Sequence, residues 1–158
     1  MPDGQLEGKT VIMTGGAQGL GFTMALGLAR AGARLALVDV EATKLAQAVA
    51  TAEAELGVGK VIGIPTDVSD DAQAGNAIKM TLETFDGLDV LVNDAGIGPP
   101  ANGRSLFNNP EKFWENDLGR WRRTVEVNSI GSHLMAALAA PYMIRLLNTS
   151  DAADARSR

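Results

Sequence analysis

Between Lys9 and Val92 four short apolar runs alternate with three longer stretches of helical periodicity. The runs are Lys9 to Thr14 around Val11, Ile12 and Met13, then Leu35 to Val38, Val61 to Ile64, and Asp89 to Val92. Between them lie Leu20 to Ala31, Glu41 to Leu56, and a third stretch that opens at Ser69-Asp70-Asp71 and runs to Phe85. Strand-helix alternation at this spacing predicts a parallel sheet with crossover helices. Strands covered on both faces read as unbroken apolar runs, as these do. Gly32 and Gly57 stand where the first two helices should close, and the carboxylates at 70 and 71 suit the positive end of the third. One His and no Cys leave little for a metal site and exclude a disulfide framework. A net charge of -5 gives no basic surface for nucleic acid or an anionic membrane, so neither partner is expected. No apolar stretch is long enough to span a membrane and Met1 to Lys9 lacks a signal-peptide core, so the expected location is cytoplasmic.

Thr14-Gly15-Gly16-Ala17-Gln18-Gly19-Leu20-Gly21 joins the first strand to the first helix. Gly15 suits a tight turn, Gly19 a close approach of backbone to a pyrophosphate, and Gly21 close packing of helix on strand. Free N–H groups at the helix start, with the helix dipole behind them, favour an anion there. Asp39 ends the second strand eighteen residues beyond Gly21. An acid at that distance accepts from ribose hydroxyls and repels a 2′-phosphate. Neither Gln18 nor Val40 offers a cation for such a phosphate, so the cofactor expected is NAD rather than NADP. The competing reading is an ordinary strand-to-helix turn with incidental glycines.

Thr14-Gly15-x-x-x-Gly19-x-Gly21 resembles the cofactor fingerprint of the short-chain dehydrogenases/reductases. Further segments resemble that family in the same order. Asp67-Val68 follows the third strand, Asn93-Asp94-Ala95-Gly96 ends the fourth, and Val127-Asn128 lies on a later helix. The resemblance implies that Gly15, Gln18, Gly19 and Leu20 cradle the pyrophosphate and that Asp39 holds the adenosine ribose. It also implies that Asp67 and Val68 meet the adenine, and that Asn93, Ala95 and Gly96 border the nicotinamide-side ribose. Asn128 is implied as the catalytic residue that holds a water in a proton relay. Asp94 stands where the family has a second Asn, so that amide is lost. The implied reaction is reversible hydride transfer between NAD and a small-molecule alcohol or carbonyl.

In that family a Tyr four residues before a Lys, with an upstream Ser, supplies the acid/base. Here the single Tyr, Tyr142, is followed four residues later by Leu146, and Lys9, Lys44, Lys60, Lys79 and Lys112 all precede it. The expectation is a truncated chain, inactive by itself. The fold class expected is α/β, a Rossmann-type parallel sheet with crossover helices, incomplete, with strand order 3-2-1-4. Leu146 to Ser150 weakly resembles a fifth strand. The chain accordingly divides into an NAD-binding domain over 1–147 and a tail or strand remnant over 148–158. A non-catalytic nucleotide-binding or interaction module is the alternative.

From Gly98 to Asn116, Pro, Gly and Asn mark a long loop, in which Phe107, Phe113 and Trp114 form either a lid or a shield for the sheet. A helix is predicted from Asp117 to about Leu147, kinked at Pro141, with Trp121 packed on the sheet. Arg120, Arg122 and Arg123 read as a solvated face, His133 as structural, and Asn128 as either relay or solvent-facing. The apolar side chains of this helix and an open sheet edge predict homo-oligomerisation or other self-association.

Overall fold

The computed structural model describes residues 4–98, 112–115 and 117–155. Strands β1 (Thr10–Thr14), β2 (Arg34–Asp39), β3 (Val61–Pro65) and β4 (Val90–Asn93) alternate with helices α1 (Gly19–Arg30), α2 (Ala42–Leu56) and α3 (Asp71–Phe85). All neighbours pair in parallel, in the order β3-β2-β1-β4. This is the order expected from the alternation and the right-handed crossover.

Each strand divides its side chains between two cores. Val11, Met13, Leu35 and Leu37 pack with Ala25 and Ala29 of α1 and with Leu45, Ala48 and Ala52 of α2. Ile12, Ala36, Val38 and Ile64 face the other way, toward Ala74, Ala77, Ile78 and Phe85 of α3. Covering both faces is what makes the strands continuously apolar. Alanines dominate the buried helix faces of α1 and α2, which lets the helices approach closely. Most of the large buried side chains come from the strands, joined by Leu45, Ile78, Phe85 and Met135 from helices, each contributing about 1.5–3 kcal/mol.

The C-terminal region departs from the single helix predicted. Helix α4 spans Leu118–Val125, a wider π-helical segment follows at Glu126–Gly131, and α5 runs from Ser132 to Ala155. Asp117 caps α4, its Oδ1 accepting from the N–H groups of Gly119 at 2.8 Å and Arg120 at 3.3 Å. Helix α5 passes through Pro141 and through the stretch read as a fifth strand, so 148–155 is helix rather than tail or strand. Only Thr149 there is β-branched, and Ala152, Ala153 and Ala155 favour continuing a helix already begun. Among the described residues the sheet has four strands. Positions 156–158 of the expected tail lie outside the described residues.

Trp121 does not pack on the sheet: it is 60% exposed, and the buried contacts of this layer come from Val127, Met135 and Ala139. Phe113 and Trp114 stack edge to face at 5.0 Å and are largely exposed, so they do not shield the sheet. Phe107 lies outside the described residues. Among the described residues no helix is long and apolar enough to cross a membrane.

Candidate functional site

The carboxyl ends of β1, β2 and β4 meet where the strand order reverses about β1, the usual crevice for ligands in an open α/β sheet. The glycine turn fills this position. Gly15 has φ +67°, and a Cβ there would lie 2.9 Å from the Ala95 backbone N. The turn therefore needs glycine both for its conformation and for contact with the end of β4. Gly21 sits so close to the turn that a Cβ would come within 2.3 Å of the Gly15 carbonyl oxygen. Gly19 is the reverse case: at φ +60°, no atom of a described residue beyond its own chain neighbours and helix backbone lies within 4 Å of its Cβ position. Its open side faces solvent, where an added side chain would occupy the space available to a ligand.

Helix α1 begins at Gln18 with no side-chain cap and no acid in its first turn. By contrast, α3 is capped by Asp70, which accepts from the Gln73 N–H at 2.9 Å. Helix α2 also lacks a side-chain cap but has no glycine turn before it. The first N–H groups of a helix have no intrahelical acceptor. At α1 a phosphate oxygen fits that deficit, and the helix dipole adds to it. Leu20, 75% exposed, stands at the same rim as an apolar side chain open to solvent among the described residues.

Asp39 flanks the turn. Its Oδ2 accepts from the Ala17 N–H at 3.1 Å and its Oδ1 from the Glu41 N–H at 3.0 Å. A carboxylate has about four acceptor sites, so each oxygen retains one. Thr14, the first residue of the glycine motif and given no contact by sequence reasoning, joins β1 to the end of β4. Its Oγ1 accepts from the N–H groups of Asp94 at 3.0 Å and Ala95 at 3.1 Å and donates to the Val92 carbonyl at 3.4 Å. A hydroxyl as the last residue of an apolar strand was the available signal.

The π-helical segment supplies the opposite wall. Asn128 donates from Nδ2 to the Ile97 carbonyl at 3.0 Å and accepts at Oδ1 from the Ile97 N–H at 2.9 Å. Asn128 is exposed, yet its amide is not free: it binds the chain leaving β4 as a strand neighbour would. Asn93 donates from Nδ2 to the Ser132 carbonyl at 3.1 Å. A Cβ on Gly96 would lie 3.5 Å from Asn128 Oδ1, an ordinary contact.

Asp67 and Val68 form the remaining side. Asp67 Oδ1 accepts from the Ser69 N–H at 3.0 Å and the Ser69 hydroxyl at 2.7 Å, while Oδ2 pairs with Arg123. Partial burial works against the Asp67 charge. The hydrogen bonds from Ser69 and Arg123, with the guanidinium's charge, outweigh it and hold the carboxyl below its ordinary range. Arg123 is thus not part of a solvated face, although Arg120 and Arg122 are exposed. Val68 is buried against Gly131, where a Cβ would come within 2.7 Å of Val68 Cγ2. His133 is exposed. Gly15, Gly19, Gly21, Asp39, Ala95, Gly96 and Asn128 thus share one rim around the carboxyl ends of the strands, with Asp67 and Val68 beside them.

The sheet and its glycine turn define a Rossmann-type domain. Residues 9–152 match the family described as short chain dehydrogenase, and the chain belongs to that family of oxidoreductases, which binds NAD(P). It is 34% identical over 146 residues to the 2,5-dichloro-2,5-cyclohexadiene-1,4-diol dehydrogenase LinX of Sphingobium indicum, covering 92% of this chain and 54% of LinX. A short chain dehydrogenase/reductase from Burkholderia phymatum, solved in complex with NAD, superposes with a TM-score of 0.78 at 32% identity, over 88% of this chain and 45% of that one. L-sorbose reductase from Gluconobacter frateurii, solved with NADPH and L-sorbose, gives 0.77 at 26% identity, over 89% of this chain and 49% of that one. The chain spans about half the length of these three proteins.

Proposed function

We propose that this chain is the dinucleotide-binding part of an NAD-dependent oxidoreductase acting between an alcohol and its carbonyl. The observation that carries the reading is the start of α1, an uncapped helix end beside a glycine whose Cβ position is open to solvent. The N–H groups of Gln18, Gly19 and Leu20 hold the pyrophosphate there. Asp39 accepts from the adenosine ribose with its remaining lone pairs, and its negative charge beside the turn disfavours a 2′-phosphate. Asp67 and Val68 take the adenine; Asn93, Ala95 and Gly96 border the second ribose. NAD, when bound, supplies the hydride acceptor. Asn128 fixes the Ile97 backbone and so the wall on the nicotinamide side.

Activity is a separate matter. General acid/base help is worth typically about 10²–10⁴-fold in such a reaction. Tyr142 is the only Tyr, and Leu146 rather than a Lys follows it four residues on. This favours, as the second reading, a chain that binds the nucleotide without turning over. Calorimetry with NAD and NADP tests binding, and NADH formation with a panel of secondary alcohols tests turnover. Tighter NAD than NADP is expected, with no turnover by these 158 residues. Equal or tighter NADP overturns the cofactor assignment. NADH production abolished by Asn128→Ala overturns the inactive reading.

A further inference from the structure

Of the three arginines on α4, only Arg123 turns inward, and both of its terminal nitrogens are used. Nη1 donates to the Ser69 hydroxyl at 2.6 Å and lies 3.7 Å from Glu126 Oε2, and Nη2 pairs with Asp67 Oδ2. Ser69 in turn donates twice to Asp67 Oδ1. The Asp67 carboxylate is therefore held from both oxygens and cannot rotate. Its own N–H is tied to Gln73 Oε1 at 2.9 Å, and the next residue, Val68, is pressed against Gly131. The loop after β3 is thus clamped between α3 and the segment that carries Asn128.

With both acceptor sites of Oδ1 taken by Ser69 and one of Oδ2 by Arg123, a single acceptor site is left, on Oδ2. It favours an amino donor and repels a carbonyl oxygen at the same place. We infer that Arg123 is a positioning residue: it aims the Asp67 carboxylate so that the site distinguishes adenine from a purine carrying a carbonyl in place of the amino group. The inference rests on the dinucleotide reading above and assigns its base selectivity to a contact made from α4. An ion pair that served stability alone, at a partly exposed position, would contribute little and would not touch base selectivity.

The test compares NAD with nicotinamide hypoxanthine dinucleotide, by calorimetry, on the full chain. A hydrogen bond to a charged group supports on the order of tenfold preference for NAD in the wild-type chain. With Arg123→Ala the preference is expected to fall below about threefold, and Arg123→Lys should recover part of it because the charge is restored without the second donor. If Arg123→Ala weakens both dinucleotides equally, or neither, the inference is overturned while the cofactor reading stands. If the wild-type chain binds neither dinucleotide, or binds both alike, the reading of the Asp67 side fails first and the inference with it. Should Arg123→Ala not fold, Ser69→Ala is read in the same way: a reduced preference supports the inference and an unchanged one overturns it.

Discussion

Two glycines on one helix make opposite demands and allow a controlled comparison. Gly21 and Gly27 both lie in α1, where replacing Gly by Ala gains about 1 kcal/mol of helix propensity. At Gly27 no described residue beyond the helix's own turn lies within 4 Å of the new Cβ, so Gly27→Ala should stabilise the domain by about that 1 kcal/mol. At Gly21 the same methyl would sit 2.3 Å from the Gly15 carbonyl oxygen and 2.8 Å from Asp94 Oδ2. The first of these is backbone and cannot rotate away. Overpacking at such a point costs up to about 3 kcal/mol, leaving a net loss near 2 kcal/mol after the propensity gain. The two variants should then differ by about 3 kcal/mol, or on the order of 6–12 °C in Tm for a chain of this size. Thermal or urea unfolding followed by circular dichroism measures the difference. Gly21→Ala should also weaken NAD binding, because relieving the clash moves Gly15 off the end of β4. If Gly21→Ala stabilises the chain as much as Gly27→Ala does, the close approach of α1 to the turn is refuted.

Further outcomes concern charge, acid and association. Asp39→Ala should narrow the preference for NAD over NADP, read by calorimetry, and a preference unchanged by the substitution would count against Asp39 as its source. Asp89, at the end of the sheet away from the site, is opposed by partial burial. Hydrogen bonds from Lys9 and the Thr10 N–H, with the charges of Lys9 and Arg34, still hold its carboxyl below the ordinary range. A depressed folded value gives stability that is present above the unfolded value of about 3.9 and lost as pH falls through the folded one. Urea midpoints at pH 7 and pH 3 should therefore fall less in Asp89→Asn than in wild type, and equal falls would remove Asp89 from the acid response. Phe113, Trp114, Leu118, Trp121, Ile130 and Ile144 are all exposed along the C-terminal helical layer. Self-association of the isolated chain is proposed on that ground, and a sharp monomer by light scattering at high concentration would rule it out.

The sheet was legible because its physics is local and repetitive. Strands such as Val11-Ile12-Met13 must be apolar on both faces, and helices between them end at Gly32 and Gly57, where φ is +104° and +90°. The turn was legible for a similar reason: Gly15 and Gly21 have no tolerated substitute without backbone movement. What escaped was contact between distant segments. Arg123 reads as one of three exposed cations until the fold brings it to Asp67, fifty-six residues earlier. Trp121 reads as core because it is large and apolar, yet α4 turns it outward and leaves burial to Val127. The fifth-strand reading of Leu146 to Ser150 failed because local pattern cannot say whether a helix already under way will stop. Asn128 was singled out by its motif, but only the structure shows its amide paired with Ile97.

The central claim is that the glycine turn and the bare start of α1 bind the pyrophosphate of NAD. Amide chemical shifts recorded while NAD is titrated into the ¹⁵N-labelled chain test it most directly. The largest changes should fall on Gly15 to Leu20, with smaller ones at Asp39, Asp67, Val68, Ala95 and Gly96, and they should saturate together. Changes confined to another surface, such as the groove between α2 and β3 lined by Leu45, Val49 and Gly63, or no change at millimolar NAD, would contradict it.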